Sequence, residues 1–363
     1  MTGLYVHIPF CRRKCGYCDF SSAAGMDALI GPYIEALGAE AARSAPLFAA
    51  PDTLYIGGGT PSLPSPEQLD SLFRTLSDRF GPVKKFFEST FEANPESLTP
   101  EKAAVLKAAG ITRVSLGLQA SQDRLLARLG RLASFRDFLQ AFRALRLAGF
   151  DNLNLDLMTG LPGQSREDFL ETLRAAIALG PEHISFYALE VHPGTPFAAE
   201  GVREDPEAAA GMFHDALPEL EKAGYLHYEI SNFAKPGREC AHNLNYWDQG
   251  DYLGLGTAAA SHKDGRRWSN TGDVARYMTT AASASGPDLE CSETLSPQER
   301  SAERIMLGLR KTAGIELPED IFVEFRERIA GLSARGLLEV SGRRLRIKRE
   351  ALYVSNAVFR EFV

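Results

Sequence analysis

The feature that most constrains this chain is the alternation of short β-rich runs with longer amphipathic stretches through its first half. The runs are Leu4–Ile8, Thr53–Ile56, Phe86–Glu92, Arg113–Leu118, Asn152–Met158 and His183–Ala188. Between them lie Asp27–Ser44, Pro66–Arg79, Thr99–Ala108, Gln122–Ala148 and Arg166–Leu179. Apolar residues recur there at helical spacing, as in Leu69, Leu72, Phe73 and Leu76. Ser65-Pro66-Glu67 and Thr99-Pro100-Glu101 each set a capping hydroxyl before a proline, which signals a helix start. Parallel strands need helical crossovers, so six β–α units in series predict an α/β fold with a parallel sheet. If that sheet curves, residues 1–190 form a partial (β/α)6 TIM-like barrel, with its chemistry at the C-terminal strand ends.

Past residue 190 the rhythm changes. Residues 191–290 are richer in Gly, Pro and aromatics and show no clear period, so they read as a connector completing the barrel mouth. AASASGP at 281–287 reads as a linker. Residues 296–363 give three helical patterns and a Gly-marked hairpin, GLLEV-SG-RRLRI, which suits a small winged-helix-like C-terminal domain. The basic run Arg343, Arg344, Arg346, Lys348 and Arg349 falls on that hairpin and reads as its solvated face. A net charge of −7 argues against a general nucleic-acid or anionic-membrane binder. The C-terminal domain is therefore expected to be structural or to dock a partner. No apolar run approaches the roughly 18–20 residues that span a bilayer. MTGLYVHIPF lacks the pattern of a secretory leader, so the expected location is the cytoplasm, with peripheral contact to the inner membrane as an alternative.

Three of the five cysteines, Cys11, Cys15 and Cys18, form C-x3-C-x2-C directly after the first predicted strand. A structural zinc site wants four ligands, commonly as two pairs, and no second pair lies nearby. A fully ligated ferredoxin cluster also needs a fourth cysteine, and Cys240 and Cys291 are distant. Three thiolates leave one iron of a [4Fe–4S] cluster open to another ligand. Arg12, Arg13 and Lys14 would favour thiolates, and Tyr17 and Phe20 would shield the cluster from water.

YVHIPFCRRKCGYCDF, with an aromatic before the last cysteine, resembles the radical S-adenosylmethionine superfamily. The resemblance is to the branch that holds oxygen-independent coproporphyrinogen III oxidase and the heme chaperones, and it extends through nearly the whole chain. It implies a [4Fe–4S] cluster on Cys11, Cys15 and Cys18 whose open iron binds S-adenosylmethionine. By similarity, Tyr5, Gly58, Gly59, Thr60, Glu92, Gln119, Arg131 and Asp156 are carried over to binding that cofactor, with Tyr17 beside the cluster. In this branch the segment corresponding to Gly57-Gly58-Gly59-Thr60-Pro61 meets the methionine amino group. Glycines at a strand end let a ligand approach bare backbone. Glu92 suits ribose hydroxyls, and Arg131 is expected inside the helix after Gln119. Asp156, an aspartate in an otherwise apolar strand, is costly unless paired or functional.

Downstream, His242-Asn243-Leu244-Asn245-Tyr246-Trp247 matches an HNxxYW pattern shared by heme-binding members of this branch. His242 is expected in an exposed loop as an axial heme ligand with a stacking surface, and Cys240 is a rival ligand. His7 and His262 receive no role. Two functions are implied. The oxidase would cleave S-adenosylmethionine to a 5′-deoxyadenosyl radical and decarboxylate a porphyrinogen; the chaperone would bind heme and deliver it to acceptor hemoproteins. Asp19-Phe20 follows Cys18 where the oxidase has Gly-Cys, the chain begins four residues before the first motif, and HNxxYW belongs to the chaperone side. All three favour the chaperone. A heme-modifying radical enzyme is a further alternative, a reductant such as flavodoxin or ferredoxin is implied, and the exposed cluster loop leaves a homodimer open. Leu132-Ala133 after Arg131, and the stretch from Gly254 to Ser261, depart from the family form.

Overall fold

The computed structural model describes residues 1–48, 50–283 and 285–362. Six strands pair in parallel in chain order: β1 (Thr2–Ile8), β2 (Thr53–Gly58), β3 (Glu88–Ala93), β4 (Arg113–Gln119), β5 (Leu153–Thr159) and β6 (His183–Ala188). The crossovers carry α1 (Ile30–Ser44), α2 (Pro66–Phe80), α3 (Pro100–Ala109), α4 (Asp123–Leu129) with α5 (Phe135–Leu147), and α6 (Arg166–Ala178). The expected α/β barrel-type fold is present. Its strands alternate with period two, as side chains on a pleat must. Leu4, Val6, Leu54, Ile56, Phe91, Leu116 and Leu155 join the helices in one apolar core. The intervening Tyr55, Glu92, Arg113, Ser115, Asn154, Asp156 and Ser185 line the interior.

Ser65 and Thr99 cap α2 and α3 as their sequences predict, each accepting from a backbone N–H three residues on. The single helix expected over Gln122–Ala148 is two. Gly130 ends α4 in the left-handed region at φ +79°, and Ser134 opens α5 with a reciprocal capping box to Asp137. Arg131 consequently sits in the turn between two helices rather than inside one.

Residues 191–290 are more ordered than their composition suggests. They contribute α7 (Pro196–Ala199), α8 (Pro206–Lys222), α9 (Ala241–Trp247), α10 (Val274–Thr280) and six strands. These strands are β7 (Leu226–Glu229), β8 (Asn232–Ala234), β9 (Asp251–Leu255), β10 (Ala260–Lys263), β11 (Arg266–Asn270) and β12 (Leu289–Thr294). The full sheet has the order β12-β11-β10-β9-β1-β2-β3-β4-β5-β6-β8-β7. β9 runs parallel to β1, with Thr2 opposite Asp251, and so adds a seventh parallel strand. The stretch 281–287 is not a linker. Ala281 is buried and caps α10, and Gly286 closes a turn by donating to Ser283 O at 3.1 Å; residue 284 lies outside the described residues.

The C-terminal domain opens with α11 (Pro297–Gly308), capped by Ser296, and adds β13 (Ile315–Glu316), α12 (Glu319–Glu324) and α13 (Arg326–Ala334). Its hairpin is β14 (Leu338–Ser341) and β15 (Arg344–Ile347), turned at Gly342 with φ +60°. The basic run is largely paired: Arg343 with Glu316 and Glu319, Arg346 with Glu339, and Arg349 with Glu221. The domain docks against the barrel through Arg310, whose guanidinium lies 4.3 Å from the Trp247 ring centre and whose carbonyl accepts from Ile230 N–H.

Candidate functional site

The C-terminal strand ends open onto a cavity of about 770 Å³. Cys11, buried just past β1, and the half-buried Cys15 and Cys18 all line it. Their loop is stitched down at three points. Gly16 N–H donates to Leu129 O at 2.9 Å, Phe197 N–H donates to Gly16 O at 2.8 Å, and Thr60 Oγ1 donates to Cys11 Sγ at 3.4 Å. Burial raises the pKa of the Cys15 thiol, with Arg131 beside it acting in the opposite sense. Burial also raises that of Cys18, with the Phe20 backbone and the Lys14 charge opposing. Arg12 and Arg13 are exposed, so Arg131 takes over the electrostatic role their positions suggested for Cys15. Phe20 is 61% exposed and shields nothing as it stands.

Among the described residues, no three His, Cys, Asp or Glu side chains converge on a single ion. Zinc needs ligands about 2–2.3 Å from one centre, whereas a cubane gives each thiolate its own iron. Three cysteines lining one cavity, with no fourth protein ligand beside them among the described residues, fit a cluster that leaves one iron open. The neighbouring glycines fit it too. A Cβ on Gly59 would come within 2.9 Å of Cys11 Sγ and of Phe10 O, and one on Gly58, at φ +117°, would meet the His7 ring.

The carried-over polar residues meet in the same cavity. Glu92 accepts from Tyr55 OH at 2.7 Å and from Gly58 N–H at 3.2 Å. Burial pushes its carboxyl up to about 7 against those two bonds. Gln119 ends β4 at φ +68°, a left-handed conformation that is strained for a residue with a side chain, where the register to β5 slips. Its Oε1 accepts from Tyr187 OH at 3.3 Å. Arg131 donates to Asn94 Oδ1 at 2.9 Å and to Gly117 O at 3.1 Å. Asp156 accepts from Ser115 Oγ and Asn154 Nδ2, each at 2.7 Å; burial raises its pKa despite both bonds. Gly58, Gly59, Thr60 and Tyr17 complete the lining, and Tyr5 does not join it. Tyr5 hydrogen-bonds to His7 Nδ1 at 2.9 Å and lines a second cavity.

Several interior residues escaped sequence reasoning. Tyr55, Asn94, Ser115, Asn154 and Tyr187 orient Glu92, Arg131, Asp156 and Gln119. Strand alternation was the available signal, since all but Asn94 occupy the positions that interleave with the apolar ones.

His242 is placed quite differently from expectation. It is 1% exposed, in the short helix α9, which plugs the N-terminal floor of the barrel. Its Nδ1 lies 2.8 Å from Thr53 Oγ1 and its Nε2 lies 2.8 Å from Tyr246 OH, so both ring nitrogens are engaged. The ring also packs on Tyr55 with centroids 5.2 Å apart. Glu88 holds the start of α9, accepting from Ala241 N–H at 3.0 Å and from His242 N–H at 3.1 Å. The exposed-loop reading is therefore corrected: a polar barrel interior needs a floor, and HNxxYW supplies it. Cys240 is fully buried beside Glu88, and burial pushes its thiol up to about 12. It is no more available to a heme iron than His242.

The fold, the three cysteines and the strand-end polar set define a class, the radical SAM superfamily, whose family model matches residues 5–176. The HemN C-terminal domain model matches residues 295–354. A coproporphyrinogen III oxidase from Escherichia coli, described as a radical SAM enzyme, superposes with a TM-score of 0.86 over 99% of this chain and 89% of its own. At 24% identity that likeness shows the fold alone. The chain is 35% identical to the heme chaperone HemW of Bacillus subtilis, over 100% of this chain and 99% of the relative. It is 37% identical to that of Mycobacterium tuberculosis, over 99% and 94%. The chain belongs to the HemW family.

Proposed function

We propose that the chain is a heme chaperone that carries a [4Fe–4S] cluster with S-adenosylmethionine and delivers heme to hemoproteins. The full-length match to relatives named for that activity carries the reading. In this reading Cys11, Cys15 and Cys18 hold the cluster. Glu92 accepts from the ribose, Gly58 and Gly59 offer backbone to the methionine end, and Arg131, Gln119 and Asp156 fix the remaining polar atoms. When bound, the cluster would supply the electron that reduces S-adenosylmethionine. Tyr55 holds Glu92 by its hydroxyl, and Thr60 holds Cys11, so both are set before the cofactor arrives.

Arg12, Arg13 and Lys14 are exposed on the cluster loop and offer an acidic reductant such as flavodoxin or ferredoxin a docking surface. The same loop would form the contact of a homodimer. No helix among the described residues is long and apolar enough to cross a membrane. The test gives anaerobically reconstituted protein heme and coproporphyrinogen III in parallel. Stable heme binding without decarboxylation supports the chaperone; turnover of the porphyrinogen with consumption of S-adenosylmethionine overturns it.

A further inference from the structure

We infer that Asn94 is a positioning residue that directs a hydrogen-bond relay, Arg131 to Asn94 to Thr60 to Cys11, onto a cluster sulfur. The relay raises the reduction potential of the cluster. The inference rests on the reading of Cys11, Cys15 and Cys18 as cluster ligands and adds a means by which the chain tunes them. Asn94 follows β3 directly and lines the cysteine cleft together with Thr60, Arg131 and all three cysteines. Its side-chain amide bridges two neighbours of those cysteines. Nδ2 donates to Thr60 Oγ1 at 3.0 Å, and Oδ1 accepts from Arg131 Nη2 at 2.9 Å.

The polarity of the relay follows from what each group can do. A guanidinium only donates, so Arg131 holds Oδ1 of Asn94 on its own side and turns the amide nitrogen towards Thr60. Thr60 Oγ1 accepts that bond, and its single proton is left for Cys11 Sγ, 3.4 Å away. Thr60 is buried, so water offers its hydroxyl little alternative. Arg131 also stands beside Cys15, so one amide joins the surroundings of two cysteines.

The surroundings hold this amide in place. Asn94 N–H donates to Ser62 Oγ at 3.0 Å, and its carbonyl accepts from Ser97 Oγ at 3.1 Å. Lys102, on α3, ties the same segments together by donating to the carbonyls of Ser62, Leu63 and Ser97 at 2.7, 3.2 and 3.0 Å. Thr60 N–H donates to Phe10 O at 2.8 Å, one residue before Cys11. Gly117 leaves the room the relay needs, because a Cβ there would come within 3.1 Å of Arg131 Nη2 and 3.3 Å of Asn94 Oδ1. Adding an electron to an iron–sulfur cluster makes its sulfurs better acceptors, so a donor fixed on one of them favours the reduced state. A free hydroxyl could turn to other acceptors, and the relay removes that choice.

The test is a redox titration, followed by electron paramagnetic resonance, of anaerobically reconstituted full-length protein. S-adenosylmethionine is left out, so that only the chain's own contacts act on the cluster. Thr60→Val removes the donor, and Asn94→Asp reverses the relay, because a carboxylate draws the Thr60 proton away from Cys11. Each is expected to lower the midpoint and cut the ratio of reduced to oxidised cluster at a fixed potential about tenfold, the change that about 59 mV makes for a one-electron couple. Thr60→Ser keeps the donor and should keep the wild-type midpoint. The added charge of Asn94→Asp acts in the same direction, so the double variant separates the two effects. On the Thr60→Val background, Asn94→Asp should shift the midpoint less than it does alone. An equal shift on both backgrounds, a wild-type midpoint in Thr60→Val, or a lowered one in Thr60→Ser would overturn the relay while leaving the cluster assignment intact. Where Thr60→Val takes up no cluster, the other two single variants carry the test: Thr60→Ser must match the wild type and Asn94→Asp must fall below it. Wild-type protein that takes up no cluster would remove the cluster reading itself.

Discussion

Replacing His242 with alanine should unfold the barrel floor rather than change heme ligation. The substitution removes two buried hydrogen bonds, to Thr53 Oγ1 and Tyr246 OH, and empties the space beneath Tyr55. Each lost bond is worth about 1 kcal/mol, and stranding a buried hydroxyl costs about 1–3 kcal/mol more. Truncating a buried ring adds a cavity penalty on the scale of large-to-small core changes. Together these give a loss of about 4 kcal/mol, a large share of the roughly 5–15 kcal/mol that holds a folded protein. Urea unfolding of the apoprotein reads it as a drop in midpoint with little change in slope. Burial pushes the imidazole down to about 3, below the unfolded value near 6.5. The unfolded state therefore binds more protons between those values, so wild-type stability falls as pH drops from about 6.5 towards 3. The variant should lose that contribution, although His183 and His227, also depressed by burial, keep the same sign. A variant as stable as the wild type whose heme spectrum loses an axial ligand would refute the floor assignment.

Two further outcomes bear on the cysteine cleft. Cys15→Ser should abolish the [4Fe–4S] absorption of anaerobically reconstituted protein; an intact cluster would remove Cys15 from the ligand set. Glu92 has its carboxyl raised to about 7, by burial first and by the Asp156 charge, so S-adenosylmethionine affinity should rise with pH through that region as the carboxylate forms. Glu92→Gln should flatten that dependence and weaken binding about tenfold, measured by calorimetry on reconstituted protein; an unchanged profile would place the ribose elsewhere.

Much of this architecture is written in local pattern. The six parallel strands were legible because β-rich runs alternate with helical patterns, two of which open on the caps Ser65 and Thr99. The residues carried over to the cofactor, Tyr5 excepted, gathered in one cleft because most sit on or just after the strands, whose C-terminal ends the topology aligns. The sheet extension was not legible. β7 and β8 are four and three residues long with a register shift between them, too short for periodicity to show. Arg131 was misplaced because a left-handed glycine and a new cap divided one helical pattern into two. His242 shows the deepest limit. Nothing local distinguishes an exposed histidine from one sealed under a barrel, since its burial depends on Thr53 and Glu88, more than 150 residues away in sequence.

The central claim, that this chain carries heme to other proteins, is tested most directly by transfer. Heme-loaded, reconstituted protein is mixed with an apo-hemoprotein whose holo spectrum is distinct, and the two are separated and read. The account predicts that heme leaves this protein and appears in the acceptor, with no change in the porphyrin. Heme that stays bound when acceptor is in excess, or a porphyrin that emerges chemically altered, would contradict it.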